Sequence, residues 1–138
     1  MIAMAAARIT THSPSLLLAL GILIAGAVGA VGRTVINDAM AHRIRSDFPY
    51  GILTINVMGS LLQGVLTGLT WYHGLSANVL TVGGIGLCGG FTTWSTAIWE
   101  TLALLRLRLF TQAALYTFGG LALAVGGAAI GIGLTGLF

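Results

Sequence analysis

The sequence predicts an all-α integral membrane fold of four transmembrane helices, the third broken near the bilayer midplane. Three observations carry this expectation. The chain has six Arg and three acidic residues among 138, or 7% charged, and 57% of it is hydrophobic. Soluble domains carry about 25% charged residues, so these few cannot coat a water-facing surface. Residues 9–32, 48–99 and 109–138 contain no Arg, Asp or Glu at all. Finally, paired glycines at Gly89-Gly90 run directly into Thr92-Thr93 inside one of these apolar stretches.

A span needs about 20 apolar residues, so the first and last stretches hold one helix each. The middle stretch is long enough for two, and Trp71-Tyr72-His73-Gly74-Leu75-Ser76-Ala77-Asn78 divides it. Trp and Tyr suit a membrane–water interface and Gly74 suits a turn. Helices are therefore expected at 16–36, 50–71, 78–104 and 109–136, making a single transmembrane domain. Arg8, Leu16–Ile24 and Ala25-Gly26-Ala27 resemble a secretory signal. The apolar stretch continues past that point to Arg33, and a retained helix is expected. No segment alternates with period two, which argues against a transmembrane barrel.

Small residues recur on three helices: Gly26, Gly29 and Gly32; Ser60, Gly64 and Gly68; Gly120, Ala124 and Ala128, flanked by Gly127 and Gly131. In lipid such stripes let helix backbones approach closely. The third helix differs. Gly84, Gly86 and Gly89 match a dinucleotide-binding pattern literally, but no strand precedes them. Paired glycines followed by hydroxyl residues instead indicate unwound backbone. At membrane depth this is tolerated only where it is buried in protein or lines a cavity. Freed carbonyls there attract cations and freed amides attract anions.

Enzymatic chemistry finds no support. His12, His42 and His73 lack metal-ligand spacing. Ser95 does not sit in a nucleophile elbow. Cys88, the lone cysteine, reads as a small buried residue. Asp38 and Asp47 are expected in a polar loop at 37–49. The scattered arginines do not form a nucleic-acid surface. Polar residues inside the spans are the better lead, since lipid makes them expensive. Asn56, Thr92, Thr93, Ser95, Thr96, Tyr116 and Thr117 are neutral donors, and with Arg33 expected near one mouth they suit an anion path.

With these residues in hand, the chain resembles the Fluc (CrcB) family of small fluoride channels. The resemblance covers the whole chain and rests on three motifs. Gly29-Ala30-Val31-Gly32-Arg33 is like the family's Gly-Ala-x-x-Arg on the first helix. Thr54-Ile55-Asn56-Val57-Met58-Gly59 is like its Thr-x-Asn-x-x-Gly on the second. Gly89-Gly90-Phe91-Thr92-Thr93-Trp94-Ser95-Thr96 is like its helix break on the third.

The resemblance implies passive fluoride export across the cell membrane by an antiparallel, dual-topology dimer. The second subunit is either another copy of this chain or a paralogous partner. A structural sodium ion on the dimer axis is implied, held by backbone carbonyls of Gly89 and Thr92; four such dipoles converging in low dielectric call for a cation. Fluoride would pass Asn56, the Trp94-Ser95-Thr96 turn and Tyr116. Trp94 and Ala97 stand where the family has pore phenylalanines, and Gly120 and Ala124 where it has serines. Valine at Gly89 is expected to crowd the break. Two other readings are a proton-coupled small multidrug exporter, with Glu100 as its carboxylate, and a non-transporting assembly subunit.

Overall fold

The computed structural model describes residues 15–44 and 46–138; Arg8, the basic end of the signal-like stretch, and His12 and Arg45 lie outside them. Helix α1 spans Leu16–Arg43 and starts where Ser15 Oγ accepts the Leu18 amide at 3.3 Å. Helix α2 spans Tyr50–His73 and stops at Gly74, whose φ of 69° is a left-handed cap that glycine adopts without strain. Ser76 then caps α3, residues 77–91. Helix α4 spans Trp94–Arg106, and a tight turn with Arg108 at φ 60° leads into α5, Phe110–Thr135.

Helices α1, α2 and α5 are each long and apolar enough to cross a membrane. Helices α3 and α4 reach that length only together, as two halves of one crossing parted at Thr92–Thr93. The fold is thus all-helical with four crossings, and no strand occurs among the described residues.

Two expected boundaries move. Helix α1 runs through residue 43 rather than 36, so Arg33 lies well inside it and Asp38 is helical and exposed rather than in a loop. Charge marks where the lipid ends, but nothing between Arg33 and Ile44 breaks a helix, so the last turns simply continue into water. The distortion of the third crossing also begins before the glycine pair. Thr81–Cys88 is π-helical, with the Gly89 amide reaching back to Gly84 O. Gly83, Gly84 and Gly86 leave the wider turns uncrowded, and π-helical turns concentrate at functional sites.

Helices α2 and α5 run parallel and pack backbone to backbone. Gly64 faces the Ala128 carbonyl, and Gly131 faces the backbone of Leu61 and Val65. His73 Nε2 donates to Thr135 O at 2.7 Å and ties their ends together. Helix α1 lies against α3, where Gly86 meets Ile22 and Gly90 meets the Gly26 carbonyl. A small apolar cluster of Ile52, Ile55, Leu104, Ala113 and Tyr116 holds α4 against α2 and α5. The outer side of α1, including Leu16, Leu20, Ile24, Val28 and Val35, is exposed apolar surface suited to lipid.

Candidate functional site

The break is built by diverting two amides. Thr92 (φ −80°, ψ 161°) and Thr93 (φ −150°, ψ 124°) are extended. Thr92 keeps the last helical bond, its amide and its Oγ1 each donating to Cys88 O at 2.9 Å. In a continuous helix the Thr93 amide would close on Gly89 O. Here it donates instead to Asn56 Oδ1 at 2.9 Å, while Asn56 Nδ2 donates to Thr93 O at 3.0 Å. The carboxamide has the donor and acceptor of a peptide, so Asn56 pairs with Thr93 as a neighbouring strand would. The Thr96 amide, due to close on Thr92 O, donates to Thr93 Oγ1 at 3.3 Å as an N-cap. The carbonyls of Gly89 and Thr92 thereby lose their helical partners. Arg33 Nη1 reaches across from α1 and donates to Thr92 O at 3.3 Å.

Close approach makes these bonds possible. Gly29 on α1 has no room for a side chain against Leu87 O and the Phe91 amide. Gly59 on α2 likewise abuts the Thr92 methyl. Each flanking helix thus supplies one glycine for contact and one polar side chain a turn away to hold a freed peptide: Gly29 with Arg33, Asn56 with Gly59. The three motifs, far apart in sequence, meet at Thr92–Thr93. Gly89 itself departs from expectation. A Cβ there would meet only Gly84 O at 3.8 Å, ordinary contact, so the crowded glycine of the pair is Gly90.

Beside the break lies a groove of about 280 Å³ between α2, α4 and α5. Asn56, Trp94 and Tyr116 line it, together with Thr92, Thr93, Thr101, Thr117, Gly120 and Ala124, and no charged side chain does. Ser95 and Thr96 are not on its wall; their hydroxyls lie 3.4 and 3.0 Å from Thr93 Oγ1. Arg33 is held on the α1 side of the break and is not on the groove wall. Gly120 and Ala124 face the groove, while the α2–α5 contact falls to Gly127, Ala128 and Gly131. Tyr116 is 4% exposed, packs edge-on to Phe48 at 5.7 Å, and its hydroxyl has no partner among the described residues.

Sequence reasoning missed Thr101, whose Oγ1 lies 3.0 Å from Thr117 Oγ1 across the groove. Its signal was available: Ala97 and Thr101 stand four residues apart on one face of α4, with Thr93 four residues earlier at its N-cap. Gln63, another amide inside a span, was also missed; it packs against π-helical Gly84, where a Cβ would lie 2.7 Å from its Oε1.

Residues 20–132 match the family described as CrcB-like protein, Camphor Resistance (CrcB). The chain belongs to the CrcB family. Among its CrcB relatives, the fluoride-specific ion channel FluC 1 of Leifsonia xyli is 40% identical over 121 residues, 88% of each chain. FluC 1 of Thermobifida fusca is 40% identical over 115 residues, covering 83% of this chain and 92% of the relative. FluC of Nitrobacter winogradskyi is 36% identical over 116 residues, 82% and 90% of the two chains. The resemblance read from the three motifs is therefore shown at the level of family. Within this CrcB chain, the matched region contains the entire break and the whole groove lining.

Proposed function

We propose that this chain is a subunit of a fluoride-selective channel in the cell membrane, through which fluoride leaves the cytoplasm down its own gradient. The groove beside the break carries the reading. It offers neutral donors to an anion that has shed water, namely the second Asn56 amide hydrogen and the unpartnered Tyr116 hydroxyl, while Thr101 donates to Ala97 O and accepts from Thr117 beside them. No carboxylate lines it to repel an anion or to exchange protons. Exposed aromatic edges at Trp94 add the positive rim of the ring quadrupole. Proton-coupled export of cations needs an embedded carboxylate on the path, and Glu100 is absent from this wall.

The second subunit closes the groove. Trp94 on its wall is 72% exposed, and an antiparallel copy or paralogue supplies the missing wall. The freed carbonyls of Gly89 and Thr92 fit a structural sodium ion shared between two such subunits. When bound, that cation supplies the charge that lets the two breaks face each other. Arg33 already donates to Thr92 O and holds that carbonyl in place.

Purified protein in liposomes, alone and with a candidate paralogue, tests the reading with a fluoride electrode. The expected result is electrogenic fluoride release, no comparable chloride release, and no dependence on a proton gradient. Well-folded dimers of either kind that release no fluoride overturn it.

A further inference from the structure

We propose that Asn56 is a positioning residue for the ion path, acting through the peptide of Thr93; this rests on the channel reading above. The argument starts from the two bonds of its carboxamide, 2.9 Å to the Thr93 amide and 3.0 Å to the Thr93 carbonyl. A flipped amide would set N–H against N–H and oxygen against oxygen, so only one orientation survives. The remaining Asn56 amide hydrogen is thereby fixed on the groove wall. Thr93 is itself buried, at 8% exposure, and its Oγ1 caps the Thr96 amide and meets the hydroxyls of Ser95 and Thr96. Asn56 therefore sets where α4 begins. Everything α4 gives the groove, Trp94, Ala97, Ile98 and Thr101, takes its position from that start. Gly59, one turn along α2, permits the approach because a side chain there would strike the Thr92 methyl.

The alternative is that Asn56 serves the ion only through its own free N–H. Semisynthetic replacement of the Thr92–Thr93 amide by an ester separates the two. It removes the N–H that Asn56 Oδ1 accepts and weakens Thr92 O as an acceptor, yet keeps every side chain, Asn56 included. Positioning predicts a roughly tenfold loss of fluoride release, the scale of one buried hydrogen bond. It also predicts that Asn56→Leu adds less than the product of the two single losses, since both break one link. A second readout does not use flux: isotope-edited infrared spectroscopy of ¹³C=¹⁸O-labelled Thr93 in the reconstituted protein. Its carbonyl band should rise in Asn56→Leu, which removes a hydrogen bond, and should return towards the native frequency in Asn56→Gln. An ester that conducts normally while Asn56→Leu is dead overturns the proposal. So does an unshifted Thr93 band in Asn56→Leu. Absence of flux in the native protein counts against the channel reading alone, because the infrared shift still decides the clamp.

Discussion

At Thr92 a single methyl group governs how closely two helices meet. A Cβ on Gly59 would overlap Thr92 Cγ2 and press on Phe91 Cδ1 at 3.3 Å. Gly59→Ala should therefore destabilise the subunit by about 1–3 kcal/mol, the usual range for overpacking. Thr92→Ser deletes that methyl and keeps the hydroxyl that bonds Cys88 O. The double variant should recover most of the loss, with a coupling of about 1 kcal/mol or more. Unfolding midpoints of the four proteins in mild detergent measure this; additive losses would show that the contact is not the limiting one. Asn56→Asp is the complementary change. It keeps an acceptor for the Thr93 amide but sets a carboxylate against the Thr93 carbonyl and beside an anion path. Fluoride release should fall at least about tenfold, on the scale of one charged hydrogen bond lost, with the protein still folded by gel filtration.

Among the helices, what the sequence made legible and what it did not divide along physical lines. The number of crossings followed from charge-free lengths, because lipid excludes charge and fixes span length together. The end of α1 did not, because Asn37 and Asp38 are compatible with a helix in water and only the lipid boundary shows in composition. The break was visible at Gly89–Thr93, whereas π-helical Thr81–Cys88 was not. Glycine-rich sequence permits wide and normal turns alike, so the local pattern does not mark which of them forms. The clamp was hidden because Asn56 and Thr93 are 37 residues apart and one partner is backbone. Small-residue stripes were readable as stripes, but not their partition between packing and groove. That partition makes a prediction for α5. Gly131 is pressed against Leu61 O and the Val65 amide, while nothing lies within 4 Å of a Cβ at Gly133. Gly131→Ala should lower subunit stability by about 1–3 kcal/mol; Gly133→Ala should leave it unchanged or raise it by up to about 1 kcal/mol. Equal effects in an SDS-unfolding titration would mean that α2 and α5 do not pack through Gly131.

Across the whole molecule, four of the six arginines gather at one pair of connections. The α1–α2 and α4–α5 connections lie together, as Phe48 against Tyr116 shows, and in the sequence Arg43, Arg45, Arg106 and Arg108 fall in or beside them. The opposite connection, Gly74-Leu75-Ser76, holds none. Short loops rich in arginine stay in the cytoplasm, so most copies should insert with this end inside. An antiparallel dimer needs the opposite orientation as well. Under the antiparallel pairing proposed above, a chain with this bias should form few self-pairs, and a partner inserted the other way should be the main route to conducting dimers. A cysteine at Ser76 in a Cys88→Ala background, labelled from outside intact cells, reports the orientation of each copy. Most copies should label. Arg106→Ser with Arg108→Ser removes two of the four arginines at these connections, so the labelled fraction should move towards one half. Fluoride release from cells making this chain alone should then rise, because more oppositely oriented copies can pair. Labelling of half the native copies, unchanged by the double substitution, would instead show that the chain already inserts both ways and serves as its own partner.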